Sequence, residues 1–77
     1  FRINIIAPGN IYFKNGNWDK KLKQNKTKVK KYLKENVPMN KFGKPEDIAN
    51  MTVFLSSEKA SFITGACLPV DGGYTAQ

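Results

Sequence analysis

The sequence has no histidine and only one cysteine, and these two absences exclude several kinds of site. One cysteine cannot form an internal disulfide, and without histidine or clustered cysteines a zinc site cannot be built. We therefore expect no metal site, and we expect Cys67 to be a small buried hydrophobic residue on a strand. The lack of a disulfide framework also favours a reducing, cytoplasmic location.

Long apolar runs are missing as well. No stretch approaches the roughly 18–20 apolar residues that a membrane span requires, and no signal peptide opens the chain, so we expect no membrane segment. With 77 residues the chain forms one domain at most. A core of this size rarely supplies more than about 3–5 kcal/mol. Because the chain starts at Phe1 directly with strand-like residues, we expect it to be part of a longer protein.

Arginine is scarce, although the net charge is +7. Eleven lysines lie between Lys14 and Lys44, where the only acids are Asp19 and Glu35, so the excess charge belongs to one segment. Lysines with aromatic residues nearby could contact phosphates and stack on bases, which keeps a nucleic-acid-binding module among the hypotheses. It is the least favoured one, because lysine without arginine gives poor base readout.

The first element is a short apolar run over 2–7 that is rich in β-branched residues and is stopped sharply by Pro8 and Gly9. Such a run is apolar on both faces and is typical of a buried strand in a parallel sheet. In open α/β sheets, ligands bind at the carboxyl ends of the strands. The Pro8-Gly9 turn therefore predicts the position of a site.

Residues 10–40 combine an aromatic loop with a lysine-rich helix. The loop contains Tyr12, Phe13 and Trp18, and the helix is predicted from Asp19 to about Glu35. Its apolar stripe is thin, consisting of Leu22, Val29, Tyr32 and Leu33. Such a stripe is typical of a surface helix that docks lightly.

Residues 41–77 predict a second helix, which starts at Pro45 and ends near Ser56 and Ser57. Its apolar face is broad enough to be covered on more than one side. A short strand from Ala66 to Val70 and a turn at 71–73 follow. The order strand, helical excursion, helix, strand describes a crossover between two parallel strands, and hence an α/β fold.

Four stretches in this order resemble the short-chain dehydrogenase/reductase family, whose most familiar members are the 3-oxoacyl-acyl-carrier-protein reductases. The stretches are NIIAPG at 4–9, FGKPEDIA at 42–49, FLSS at 54–57, and ITG at 63–65 followed by VDGG at 70–73. The resemblance covers nearly the whole chain but only the carboxyl-terminal third of a family member. It implies the carboxyl-terminal part of a Rossmann-like doubly wound parallel sheet, with 1–9 as strand and turn, 10–40 as substrate lid, and 41–77 as core helix and last strand.

The resemblance also implies a cofactor, NAD or NADP, and residues beside it. Pro8 and Gly9 match the turn that runs along the nicotinamide, and Ile11 matches the residue whose backbone binds the carboxamide. Phe13 stands where the family often has a threonine near the cofactor phosphates, so this sequence lacks that hydroxyl.

Within the lid, the aromatic residues Tyr12, Phe13 and Trp18 are candidates for contact with substrate, because aromatic side chains on a mobile loop can exclude water from a pocket. For Trp18 an equally good alternative is that it anchors the lid helix. No catalytic residue is predicted, because the family's Tyr-x-x-x-Lys and glycine-rich loop are absent from these residues. Alone, the chain is not expected to bind a dinucleotide tightly or to transfer hydride.

Three functions follow from these observations. The first is a part of an NAD(P)-dependent oxidoreductase acting on a carbonyl or alcohol, either a small molecule or an acyl group on an acidic carrier, which the basic lid would suit. Its partners would be the upstream part of the same domain and further copies in a homodimer or homotetramer, which in this family pair through the last helix and strand. The second is an assembly module without catalytic activity, and the third is the nucleic-acid-binding module.

Overall fold

Two short parallel strands joined by a long helical crossover form the framework of the chain. The computed structural model describes residues 1–76. The elements are β1 (Ile5–Pro8), α1 (Asn17–Gln24), α2 (Lys26–Asn36), α3 (Pro45–Ser56) and β2 (Cys67–Val70), with single 3₁₀ turns at Glu58–Ala60 and Tyr74–Ala76. Ile5 pairs with Cys67 and Pro8 pairs with Val70 in parallel register. The predicted crossover and the α/β class are therefore confirmed.

The predicted single helix over 19–35 is wrong, because the chain breaks at Asn25 into α1 and α2. Asn25 has φ −156° and ψ 87°, and its side-chain oxygen accepts a hydrogen bond of 3.0 Å from the Lys28 N–H. Asparagine offers such local hydrogen bonds in competition with the helix, and here it caps the start of α2. The prediction of a thin apolar stripe is confirmed, since Val29 and Leu33 are the buried hydrophobic residues of α2.

Helix α3 begins and ends where the sequence predicts. Pro45 occupies the first turn, and the Lys44 N–H donates to the Asp47 carboxylate at 2.8 Å, which satisfies one of the amide groups at the helix start. The expected cover on more than one side is not found within residues 1–76. On α3 only Leu55 is buried, whereas Val53 is 70% exposed and Phe54 is also exposed.

Strand β1 starts at Ile5 rather than at Arg2, because the side chains of Arg2 and Asn4 take the place of regular strand pairing. The Arg2 guanidinium donates to the carbonyl oxygens of Ile63 and Leu55, both at 2.9 Å. The Asn4 side chain donates to the Ile63 carbonyl oxygen and accepts from the Ala66 N–H. These bonds hold the end of α3 and the entry to β2 against the start of the chain.

The fold is flat, with principal extents of 45 × 27 × 14 Å, and one face of the sheet is uncovered. The buried hydrophobic residues among those described are Val29, Leu33, Val37, Leu55 and Ala60. The expectation that Cys67 is buried is wrong: Cys67 is exposed, as is its partner Ile5, because the described residues leave that face of the sheet open. Over residues 1–76, no helix is long and apolar enough to cross a membrane, and no cluster of potential metal ligands occurs.

Candidate functional site

The candidate site lies where both strands end, at Pro8 and Val70. The Gly9 N–H donates to the Val70 carbonyl oxygen at 3.2 Å, so the exits of the two strands run side by side. A Cβ atom on Gly9 would lie 2.5 Å from the Cβ of Asp71 and 3.3 Å from its Cα. Only glycine allows the two exits to approach this closely.

After this turn, the backbone at Ile11 is held on one side and unpaired on the other. Ile11 forms a parallel bridge with Gly43, made by the Tyr12 N–H to the Gly43 oxygen at 2.9 Å and by the Gly43 N–H to the Asn10 oxygen at 3.1 Å. In a parallel bridge of this kind, the residues before and after Ile11 make the hydrogen bonds, and the N–H and C=O of Ile11 itself face the opposite way. The N–H and C=O of Ile11 itself make no hydrogen bond within residues 1–76. They present one donor and one acceptor beside the strand exit.

Asp19 is a buried charged residue, 6% exposed, that joins the loop to α1. Its carboxylate accepts hydrogen bonds from the Asn15 N–H at 2.8 Å and the Tyr12 hydroxyl at 3.0 Å, and Lys23 Nζ lies 3.4 Å away. The bond from the Asn15 N–H, followed by that from Tyr12, lowers the pKa of Asp19. The same Tyr12–Asp19 bond raises the pKa of Tyr12. The sequence indicated Asp19 only as a helix start; the tyrosine seven residues before it was the missed signal.

Acid should therefore lower the stability of the contact between the loop at 12–15 and α1, because it protonates Asp19. Because the folded-state pKa lies below the unfolded value of about 3.9, the stabilisation by Asp19 is present above that value and is lost as the pH falls through the lowered folded pKa. We expect Asp19→Asn to flatten the fall of the thermal unfolding midpoint between about pH 5 and pH 2, measured on the complete protein that contains this chain. The exposed acid variant Glu58→Gln is the control, and equal slopes in Asp19→Asn and the wild type would contradict the role.

An aromatic cluster joins α1 to α2 and to the loop before α3. The Trp18 ring centroid lies 5.2 Å from that of Tyr32 and 5.1 Å from that of Phe42, and Tyr12 lies 6.0 Å from Phe42. Of the three predicted aromatic residues, Tyr12 and Trp18 meet here, whereas Phe13 is 55% exposed and lies outside the cluster. Tyr32 and Phe42 were missed as site residues, because the sequence indicated them only as part of a helix stripe and a family motif.

A groove of about 530 Å³ opens between α1 and α2, with Trp18, Val29 and Tyr32 along it. Lys21 Nζ lies 4.5 Å from the centroid of the Trp18 ring, and Lys28 lines the groove from α2. Trp18 thus contacts Phe42, as an anchor would, and also borders an open space. Both functions predicted for it are compatible with this position.

The end of the 10–40 segment docks on the turn after β2. The Met39 N–H donates to the Gly72 oxygen at 3.0 Å, and Pro38 lies beside Gly73, whose φ is +94°. The Asp71 carboxylate holds this turn by accepting hydrogen bonds from the Gly73 N–H and from the hydroxyl and N–H of Thr75. The Thr75 hydroxyl is the main cause of the lowered pKa of Asp71. The turn at 71–73 therefore contacts the end of the 10–40 segment, which the sequence did not predict.

Comparison with known proteins identifies the family. A family model described as enoyl-(acyl carrier protein) reductase matches residues 1–75. Glucose 1-dehydrogenase 2 of Bacillus subtilis (strain 168) is 45% identical over 74 residues, which are 96% of this chain and 27% of that protein. A 3-oxoacyl-[acyl-carrier-protein] reductase FabG of Buchnera aphidicola subsp. Acyrthosiphon pisum is 45% identical over 71 residues, 92% of this chain and 27% of that protein.

A solved structure matches the fold over nearly the whole of this chain. The crystal structure of a protein from Agrobacterium tumefaciens, described as a 2-deoxy-D-gluconate 3-dehydrogenase with bound NADP, has a TM-score of 0.79 and 41% identity, and covers 99% of this chain and 29% of that one. The chain therefore spans less than a third of the length of these relatives. The two parallel strands with their crossover, the glycine turn at the strand exit and these matches agree that the chain belongs to the short-chain dehydrogenase/reductase family.

Proposed function

We propose that this chain is the nicotinamide-side part of an NAD(P)-dependent oxidoreductase acting on a carbonyl or alcohol. The observation that carries the proposal is the unpaired N–H and C=O of Ile11, directly after the Pro8-Gly9 turn. A nicotinamide carboxamide offers a matching acceptor and donor. The dinucleotide supplies the hydride when it is bound, and NADP in the Agrobacterium structure supports this cofactor class, with NAD as the alternative.

Replacing Ile11 with proline removes the free N–H and tests the cofactor site. In the complete protein that contains this chain, we expect Ile11→Pro to raise the Kd for NAD(P)H roughly tenfold, which corresponds to the loss of about one hydrogen bond. Ile11→Val keeps the backbone donor and is the matched control. Fluorescence titration measures the Kd, and thermal unfolding verifies that both variants are folded. Equal Kd values in Ile11→Pro and the wild type would overturn the proposal.

Residues 10–40 are proposed to form the substrate lid, in which Tyr12, Phe13 and Trp18 face the substrate. The aromatic cluster and the groove between α1 and α2 support this role. The substrate is a small molecule or an acyl group on an acidic carrier; the similarity to a FabG reductase and eight lysines on α1 and α2 support the carrier. Reductase assays with a free and a carrier-bound 3-oxoacyl thioester distinguish the two.

Helix α3 and strand β2 are proposed to pair copies of the protein as a homodimer or homotetramer. The exposed Val53 and Phe54 on α3 and the single-sided pairing of β2 support this assembly. If these surfaces served assembly alone, residues 1–77 would form a folded oligomer by themselves, and a denatured-like circular dichroism spectrum would exclude that alternative. The nucleic-acid-binding module and the cytoplasmic location stay predictions from the sequence.

A further inference from the structure

The groove between α1 and α2 combines an apolar floor with cations, and none of the residues of 1–76 that line it is acidic. Val29 is 5% exposed and forms the floor with the rings of Trp18 and Tyr32. Lys21 and Lys28 stand on opposite helices along it. A volume of about 530 Å³ is of the size that small-molecule sites have, which are mostly apolar with a few placed polar groups.

The charge around the groove fits an anion. Helices α1 and α2 carry eight lysines and two acids, and of these acids Asp19 is buried and paired with Tyr12 and Lys23. The first turn of α2, at the Lys28 end of the groove, contains no acidic residue, and the Asn25 side chain that caps it is uncharged, so no negative side chain of that turn competes with a bound anion. An anion between Lys21 and Lys28 would meet two cations and no acidic side chain of the groove lining.

From these observations we infer that the groove binds a small apolar or aromatic molecule through a terminal carboxylate or phosphate, held by Lys21 and Lys28 with its body on Trp18 and Tyr32. That this molecule is the substrate rests on the proposed function. The inference then adds the class of substrate, an anionic one. The groove lies beside the cofactor-side loop, because the Tyr32 hydroxyl donates to the Asn10 side-chain oxygen at 3.4 Å. A substrate anchored by its anionic end in the groove could thus extend its reacting end towards the strand exit.

Calorimetric titration of the complete protein tests the site without requiring turnover. The probes are 4-phenylbutanoate and 3-phenylpropyl phosphate, with 4-phenylbutanamide as the neutral match. We expect both anions to bind more tightly than the amide, with an affinity that falls as salt is added. The double variant Lys21→Gln/Lys28→Gln should weaken anion binding about tenfold and leave the affinity for the amide unchanged.

The matched control is Lys30→Gln/Lys31→Gln, which removes the same charge from exposed positions of α2 that do not line the groove. It should leave anion binding within about twofold of the wild type. Equal weakening in both double variants would show a diffuse charge effect and overturn the site, as would a wild-type protein that binds no anion more tightly than the amide. The anion with the lower Kd shows whether the groove prefers a carboxylate or a phosphate.

Activity separates this inference from the proposed function. If the protein reduces or oxidises carbonyl and alcohol substrates but its KM for anionic ones does not rise in Lys21→Gln/Lys28→Gln, the groove is not the substrate site and the oxidoreductase stands. If it shows no such activity but loses anion binding in that variant, the binding site stands and the proposed function fails.

Discussion

Alanine at position 9 should destabilise the protein and weaken cofactor binding together. The added Cβ would lie 2.5 Å from the Cβ of Asp71, closer than such atoms approach in folded proteins, so the exits of β1 and β2 must move apart. Overpacking of this kind costs about 1–3 kcal/mol. Because the shift occurs two residues before Ile11, we also expect the Kd for NAD(P)H to rise about tenfold, which corresponds to a loss of about 1.4 kcal/mol in binding free energy.

Gly65→Ala is the matched control for this substitution. Gly65 has φ +73°, and a Cβ added there would meet no atom within 4 Å, so alanine introduces backbone strain without a clash. Backbone strain of that kind costs about 1 kcal/mol, and Gly65 is remote from the strand exits. Urea unfolding and cofactor titration should therefore show a stability loss alone in Gly65→Ala, and both losses in Gly9→Ala. A normal Kd in Gly9→Ala would contradict the coupling of the turn to the cofactor.

Gly73→Ala should release the end of the 10–40 segment from the turn after β2. Its φ is +94°, and a Cβ there would lie 3.0 Å from Cγ of Pro38, so alanine adds strain and a close contact at once. We expect a loss of about 2–3 kcal/mol in the free energy of unfolding. In limited proteolysis, cleavage near Asn40 and Lys41 should also become faster, because the Met39–Gly72 hydrogen bond depends on the contact between Pro38 and Gly73.

Pro38→Ala in the Gly73→Ala background separates the backbone strain at position 73 from the close contact with the Pro38 ring. Removing the pyrrolidine ring relieves the contact but leaves the strain at position 73, so it should restore about half of the lost stability. No recovery in the double variant would mean that the end of the 10–40 segment does not pack on Gly73.

The sequence predicted the framework because its signals there are local. Pro45 and Asp47 define the start of α3, and Pro8-Gly9 defines the end of β1, through backbone constraints that do not depend on distant residues. The break at Asn25 was missed, because periodicity alone does not reveal a side chain that competes for the Lys28 N–H. Cys67 was misjudged because burial of a strand depends on what lies over the sheet, which the composition of that strand does not specify.

The sequence predicted where the candidate site lies, but not its side-chain contacts. Pro8 and Gly9 were predicted from the strand exit and the family resemblance, Ile11 was predicted from the resemblance alone, and their contact with a cofactor stays a prediction. The pairing of Tyr12 with Asp19, and of Trp18 with Phe42, depends on how the loop folds back over the helices that follow it. Contacts of that range are set by packing rather than by any short pattern.

Both ends of the 10–40 segment are held by backbone hydrogen bonds, Tyr12 to Gly43 and Met39 to Gly72. The chain between these ties is a closed loop, and the entropy of closing a loop grows only with the logarithm of its length. Loop-closure entropy therefore allows a segment of different length between Tyr12 and Met39, provided that it supplies apolar side chains in place of Val29, Leu33 and Val37, which are buried. Residues 13–38 could thus lengthen or shorten during evolution while the two strands stay as they are.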